Sequence, residues 1–130
     1  MVNDLVFDIG MHNGDDTEQY LARGFRVVAV EANPKLVGAG RERFSKAIRE
    51  GRLVIESCAI SNREGTTDFW VNAEKDEWSA LEPEVAGRHG ISCRKITVRC
   101  TRLSTLFGKH GVPFFLRAIS KEATVMALKT

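Results

Sequence analysis

The sequence lacks the features that mark a membrane protein or a secreted protein. No apolar run in its 130 residues approaches the ~20 residues that are needed to cross a bilayer. The first residues, Met-Val-Asn-Asp, contain neither the basic region nor the apolar core of a secretory signal. We therefore expect a cytoplasmic chain that has no membrane partner.

Cysteine is scarce, and the charges are nearly balanced. Cys58, Cys93 and Cys100 are odd in number and form no C-x-x-C pair, which favours reduced thiols over a disulfide framework or a bound metal. A formal net charge of +2 gives no reason to expect a nucleic-acid partner. There is no internal repeat, and a chain of this length accommodates one domain at most.

The most informative stretch is a short apolar segment followed by a turn with two glycines and a helix start. Residues 5–9 are a short apolar run of the kind that forms a buried parallel strand. Gly10 and Gly14 bracket the turn, and the acidic pair Asp15 and Asp16 opens the helix. A strand, a glycine turn and a helix in this order form the nucleotide-binding corner of a doubly wound α/β fold, because glycine lets a ligand approach the backbone closely.

The residues around this corner distinguish between the cofactors that it could hold. A dinucleotide site has the pattern Gly-x-Gly-x-x-Gly and places a pyrophosphate on the helix N-terminus. Asp15 and Asp16 would repel a pyrophosphate, but they tolerate the ammonium and sulfonium groups of S-adenosylmethionine. Glu31, about 20 positions after Gly10 at the tip of the next predicted strand, can accept hydrogen bonds from ribose hydroxyls. That carboxylate is shared by NAD and S-adenosylmethionine sites, so it indicates an adenosine ligand without choosing between them.

The rest of the chain alternates between strand and helix patterns. The predicted strands cover residues 5–9, 26–31, 53–55, 67–71, 94–99 and 113–119. The predicted helices cover residues 16–23, 34–49 and 103–109, with a further short helix in the tail over 121–129. Right-handed crossovers place the first three strands in the order 3-2-1, and we expect an added β-hairpin in the same domain.

Several side chains have a structural interpretation that competes with a functional one. His89 and His110 are predicted to be surface residues, and Trp78 is predicted to be a core anchor. Ile96 and Val98 alternate with charged neighbours, which predicts a half-buried strand whose basic face is solvated. This alternation explains the local basic run without a nucleic-acid partner.

Five segments of the sequence, taken in order, carry a family resemblance. They are Asp8-x-Gly10-x-x-x-Gly14-x-x-Thr17, Val30-Glu31-Ala32-Asn33-Pro34, residues 57–65, Trp78-Ser79-Ala80-Leu81 and residues 98–103. The series resembles the FkbM family of class I methyltransferases and covers roughly residues 4–116.

The resemblance implies a partial doubly wound, Rossmann-like α/β fold that uses S-adenosyl-L-methionine to methylate a hydroxyl group of a sugar or natural product. The cofactor-binding residues that it implies are Asp8, Gly10, His12, Asn13, Gly14, Thr17, Glu31, Ala32, Cys58 and Ala59. Asp8 and the turn at His12 would meet the methionine end, Glu31 the ribose, and Ala32 and Cys58 the adenine. No catalytic base is assigned.

After Leu116 the sequence departs from the family pattern, which continues Lys-Ile-Asp-(Val/Ile)-Glu-Gly. Residues 117–122 read Arg-Ala-Ile-Ser-Lys-Glu instead, and the chain reaches Thr130 without the remaining strands. We therefore expect residues 1–130 to be a single truncated methyltransferase domain, prone to self-association through an open sheet edge. Two alternatives remain open, which are a non-catalytic module that binds S-adenosylmethionine or a related adenosine nucleotide, and an NAD-binding Rossmann domain.

Overall fold

The computed structural model describes residues 1–72 and 93–118, which form two sheets and the helices that accompany them. The helices are α1 (Asp15–Ala22), α2 (Pro34–Arg43), α3 (Ser45–Arg49) and α4 (Leu103–His110). The strands are β1 (Val2–Ile9), β2 (Arg26–Glu31), β3 (Leu53–Ser57), β4 (Ala59–Ile60), β5 (Gly65–Asn72), β6 (Cys93–Thr101) and β7 (Pro113–Ala118). Each helix within these residues falls short of the length and apolar character that a membrane crossing requires.

The larger sheet is parallel throughout and has the strand order β3-β2-β1-β7. Phe7 on β1 lies in register with Val28 on β2 and with Leu116 on β7. The predicted order 3-2-1, with a fourth strand that starts at residue 113, is confirmed, although Ile119 lies outside the described residues. In this order the chain leaves β1 for β2 on one side and returns as β7 on the other, so the turn after β1 lies at the topological switch point where α/β sheets bind ligands.

Apolar side chains cover both faces of this sheet. On one face, residues of α4 pack with β1 and β2 in a cluster that contains Leu103, Leu106, Leu5, Phe7, Ile9, Val28 and Val30. On the other face, residues of α1 and α2 pack with β2 and β3 in a cluster that contains Leu21, Val37, Phe44, Val27, Ala29, Leu53 and Ile55. Burial on both faces explains why residues 5–9 do not alternate between apolar and polar side chains; Asp8 is the one polar residue among them, and it is buried as well.

The helix that the sequence predicts over 34–49 is interrupted, and in this respect the prediction is wrong. α2 ends at Arg43 and α3 begins at Ser45, while Phe44 between them has φ −108° and ψ 25°, which are not helical values. Its ring is buried against Gly14, where an added Cβ would lie 2.5 Å from the ring edge. The ring fills the space that Gly14 leaves, and helical hydrogen bonds from Phe44 N–H to Gly40 and from Ile48 N–H to Phe44 continue on both sides of the break.

The smaller sheet has the order β4-β6-β5, and its antiparallel pair β5 and β6 agrees with the prediction of an added hairpin. Val98 is buried while Lys95 and Arg99 are exposed, as the alternation predicts. The two-residue strand β4 was not expected; it pairs parallel with β6. The predictions for Trp78, for His89 and for the tail after residue 118 lie outside the described residues.

Candidate functional site

The turn after β1 is held in place by hydrogen bonds to the end of β2. The backbone N–H groups of Gly10 and Met11 both donate to the carbonyl oxygen of Val30, over 2.8 and 3.1 Å. Gly10 has φ 80° and His12 has φ 55°, and the left-handed region is open to glycine but is rarely adopted by other residues. The hydrogen bonds to β2 therefore hold the turn in a left-handed conformation that Gly10 adopts readily and His12 does not.

Glu31, the last residue of β2, connects this turn to the start of α2. Its Oε1 accepts a hydrogen bond from the backbone N–H of His12 and its Oε2 accepts one from Asn33, both over 2.9 Å. The residue is 8% exposed, and burial raises the pKa of its carboxyl, which the two N–H donors offset in part. Gly10 and Glu31 thus lie at the same edge of the sheet, as the sequence predicts for residues that share an adenosine ligand.

Asn33 follows Glu31 and caps α2. Its Oδ1 accepts a hydrogen bond from the N–H of Lys35 over 3.1 Å, and Pro34 occupies the first helical position, as the sequence predicts. The residue is 2% exposed, and its Nδ2 has no hydrogen-bond partner within residues 1–72 and 93–118. A buried donor without an acceptor is costly, so this amide is a candidate contact for a polar ligand.

An open cleft of about 410 Å³ lies beside the turn. The described residues that line it are Gly10, Met11, His12, Asn13, Asp15, Asp16 and Arg117. Its volume falls within the range of roughly 300–1,000 Å³ that is usual for small-molecule sites. The cleft is therefore bounded by the turn, by the N-terminus of α1 and by the end of β7, which is where the strand order places a ligand.

The arginine that lines the cleft contacts a buried carboxylate behind it. Asp8 on β1 is fully buried and accepts a hydrogen bond from Thr17 Oγ1 over 2.7 Å. Arg117 on β7 lies 3.5 Å from Asp8 and 3.0 Å from Asp16, so its guanidinium lies between two carboxylates. Burial raises the pKa of Asp8, and the hydrogen bond from Thr17 and the charge of Arg117 lower it only in part.

The N-terminus of α1 is fastened to α2 by a second arginine. The guanidinium of Arg43 donates to the carbonyl oxygen of Asn13 over 2.8 Å and pairs with Asp15 and Glu18 over 3.1 and 2.8 Å. The side chain of Asn13 accepts a hydrogen bond from the N–H of Asp15 over 3.1 Å. Asp15 is therefore paired with Arg43, whereas Asp16 is paired with Arg117, another residue that lines the cleft.

The structure brings most of the sequence-predicted residues to this region, in different roles. Gly10, His12 and Asn13 line the cleft. Asp8 and Thr17 are buried and bonded to each other, and Glu31 is bound to the N–H of His12; these three are not among the described residues that line the cleft. Gly14, with φ 94°, leaves the space that the ring of Phe44 fills. Ala32, Cys58 and Ala59 are buried and are not among the described residues that line the cleft.

Cys58 packs in the apolar cluster beneath α4, where it is 1% exposed. Burial raises the pKa of its thiol. Its backbone N–H donates to the carbonyl oxygen of Glu31 over 3.1 Å, so Cys58 supports the end of β2 from within the core.

Sequence reasoning did not assign Arg117 to the site, and it considered Asp16 only as one of two carboxylates that tolerate a cationic cofactor. Arg117 is in register with Asp8 on the neighbouring strand, but 109 positions separate the two residues in the sequence. The sequence contained one indication that residue 117 is important, because Arg117 occupies the position at which the family pattern has a lysine. Only the pairing of β7 with β1 shows that this cation reaches the cleft.

A separate polar cluster forms around Glu56 on β3. Its carboxylate contacts Arg99, Lys109 and His110 over 3.1, 2.9 and 2.7 Å. Burial alone would raise the pKa of Glu56, but the hydrogen bonds and charges of Lys109 and His110 outweigh it and lower the pKa to about 2. The side chain of His110 is 13% exposed and packs edge-on to Phe7, so the prediction that it is a surface residue is wrong.

Comparison with known families agrees with the geometry. A family model described as Methyltransferase FkbM domain matches residues 8–116, which is most of the chain. No curated protein matches the sequence significantly. The chain belongs to the FkbM methyltransferase domain family, and the resemblance carried by its motifs is confirmed.

Proposed function

We propose that this member of the FkbM methyltransferase domain family binds S-adenosyl-L-methionine in the cleft and transfers its methyl group to a hydroxyl group of a sugar or natural product. The observation that carries the proposal is the position of the Glu31 carboxylate, which is bound to the turn after β1 at the switch point of the sheet. The family match supports methyl transfer, and the acceptor class follows from the family resemblance alone.

The polar groups at the end of β2 fit the adenosine portion of this cofactor. Each oxygen of the Glu31 carboxylate accepts one backbone N–H, and a carboxylate can accept about four hydrogen bonds in total. Glu31 can therefore also accept hydrogen bonds from ribose hydroxyls. Asn33 Nδ2, which lacks a partner in the described part of the chain, supplies a donor beside it.

The charges around the cleft favour a cationic cofactor over a dinucleotide. Asp15 and Asp16 line the cleft with a single described arginine, Arg117, and Asp8 lies buried next to that arginine. A pyrophosphate would bring negative charge towards these carboxylates, whereas a sulfonium and an ammonium group would be attracted to them. The carboxylates around the cleft also argue against an NAD site, because NAD contains a pyrophosphate.

When bound, S-adenosyl-L-methionine supplies a methyl group made electrophilic by its attachment to a sulfonium. The residues of the chain contribute position and electrostatic environment. Hydrogen bonds to Val30 and Glu31 hold the turn, and charged groups line the cleft, so these residues would orient the cofactor for the displacement. Asp8 is fully buried and bound to Thr17, so it is placed to support the site rather than to take a proton from an acceptor.

A second candidate is a module that binds the cofactor without turnover. The sequence of residues 117–122 favours it, because the family pattern has Lys-Ile-Asp-(Val/Ile)-Glu-Gly at these positions and this chain does not. The two candidates share the cleft and differ in whether a methyl group is transferred.

Isothermal titration and a methyl-transfer assay separate the candidates. We expect S-adenosylmethionine to bind the full chain with a stoichiometry of one, and NAD not to bind. Transfer of labelled methyl from S-adenosylmethionine to a panel of methyl glycosides and phenols would support the enzyme, and binding without transfer would support the module. Binding of NAD without binding of S-adenosylmethionine would overturn both.

A further inference from the structure

We propose that Arg117 and Asp16 recognise the amino-acid end of the cofactor, with the guanidinium of Arg117 binding its carboxylate and the carboxylate of Asp16 binding its ammonium group. The inference rests on the proposed cofactor and assigns a specificity role to two residues, of which Asp16 lies within the family match and Arg117 does not. Arg117 lies immediately beyond the matched residues 8–116.

The position of Arg117 is set by the strand that carries it. Arg117 is in register with Asp8 on β1, and its Nη1 lies 3.5 Å from the buried carboxylate of Asp8. Its Nη2 lies 3.0 Å from Asp16, at the cleft side. The contact with Asp8 can persist when the partner at Nη2 changes, so the guanidinium stays at the edge of the cleft while its outer hydrogen bonds are exchanged.

The pair is accessible, and it matches the charges of an α-amino acid. The side chains of Arg117 and Asp16 are 35% and 49% exposed, and both residues line the cleft. An amino-acid end presents a carboxylate and an ammonium group on one carbon atom, so a neighbouring cation and anion can each find an opposite charge. The planar guanidinium is well suited to a carboxylate because it can donate two parallel hydrogen bonds.

Arg43, at the same end of α1, is a structural arginine and serves as a comparison for Arg117. Its guanidinium donates to the backbone carbonyl of Asn13 as well as to Asp15 and Glu18, so it joins α1 to α2. Arg43 is not one of the described residues that line the cleft. Both ion pairs that Arg117 makes within the described residues are with carboxylates, and the partly exposed pair with Asp16 adds little to stability.

The test compares two ligands that differ in the amino-acid end. S-adenosylhomocysteine carries it, and 5′-methylthioadenosine has the same adenosine and thioether without it. Titration of the full chain should show that Arg117→Met weakens binding of S-adenosylhomocysteine by about tenfold or more, the usual effect of losing a charged hydrogen bond, and changes binding of methylthioadenosine by less than about twofold. Arg117→Lys keeps the positive charge but lacks the two parallel donors of the guanidinium, so it should give an intermediate loss of affinity for S-adenosylhomocysteine.

Arg26→Met is the matched control. Arg26 also pairs with a carboxylate, Asp4, over 2.9 Å, and neither residue is among the described residues of the cleft. This variant should bind both ligands as the unmodified chain does. If Arg117→Met proves unstable on thermal melting, Asp16→Asn replaces it and should likewise weaken only S-adenosylhomocysteine.

The outcomes distinguish this inference from the proposed function. If the unmodified chain binds neither ligand, the proposed cofactor is wrong and the inference fails with it. If the chain binds both ligands and the Arg117 and Asp16 variants weaken them equally, or weaken neither, the inference is overturned while the proposed cofactor stands.

Discussion

The cluster around Glu56 leads to a prediction that does not depend on any ligand. Glu56→Gln keeps the shape of the side chain and removes the charge that faces Arg99, Lys109 and His110. The variant leaves these donors with a neutral amide in place of a carboxylate. We expect the free energy of unfolding to fall near neutral pH.

The magnitude follows from the pKa of Glu56. The difference between the ordinary value of 4.5 and about 2 corresponds, at about 1.4 kcal/mol per unit, to an upper limit of about 3.5 kcal/mol. The side chains of Arg99 and Lys109 are 53% and 58% exposed, so water screens their charges. We therefore expect a loss of about 1–2 kcal/mol.

The loss should depend on pH in a defined direction. Because the pKa of Glu56 is lower in the folded state, the ionised carboxylate stabilises the fold fully above about pH 4.5, and this contribution disappears as the pH falls towards 2. Asp8 and Glu31, whose pKa values are raised, change stability in the opposite direction over acidic pH. Their effects cancel when the variant is compared with the unmodified chain at each pH.

Urea unfolding followed by circular dichroism measures the difference. Near pH 7 the variant should be less stable by the stated amount, and at about pH 2.5 the two proteins should differ by only a small fraction of it. Glu42→Gln, at an exposed position on α2, is the control and should change stability by less than about 0.5 kcal/mol. A difference that is absent at neutral pH, or that stays constant down to pH 2.5, would refute the charge argument.

Three further predictions concern the cleft, the turn and the sheet edge. Glu31→Ala should weaken binding of S-adenosylmethionine by about 1–3 kcal/mol in isothermal titration, and an unchanged affinity would remove Glu31 from the site. Gly14→Ala should lower the melting temperature more than Gly24→Ala. Both glycines have φ near 90°, but only at Gly14 would the new Cβ meet a described side chain, the Phe44 ring, at 2.5 Å; equal effects would contradict this. The exposed Phe114 and Phe115 on β7, whose strand neighbour within the described residues is β1 alone, should cause concentration-dependent self-association in sedimentation experiments, and a monomer at every concentration would count against it.

Local signals in the sequence were sufficient for most of the fold. The apolar run at residues 5–9, the cap formed by Asn33 and Pro34, and the alternation around Val98 each depend on neighbours within a few positions, so the pattern and the structure agree. The break at Phe44 could not be predicted in this way. Its ring packs against Gly14, which lies 30 positions earlier in the sequence, and a helical period carries no information about such a contact.

The site likewise contains features that local sequence patterns predict and contacts between distant residues that they do not. Residue patterns were enough to place a glycine turn and the carboxylate of Glu31 after two strands of one parallel sheet, because the carboxyl ends of such strands meet at one edge. The position of Arg117 between Asp8 and Asp16, and the burial of His110 against Glu56, became visible only in the folded chain. These partners are far apart in the chain, and they meet because β7 pairs with β1 and α4 crosses the face of the sheet that carries Glu56.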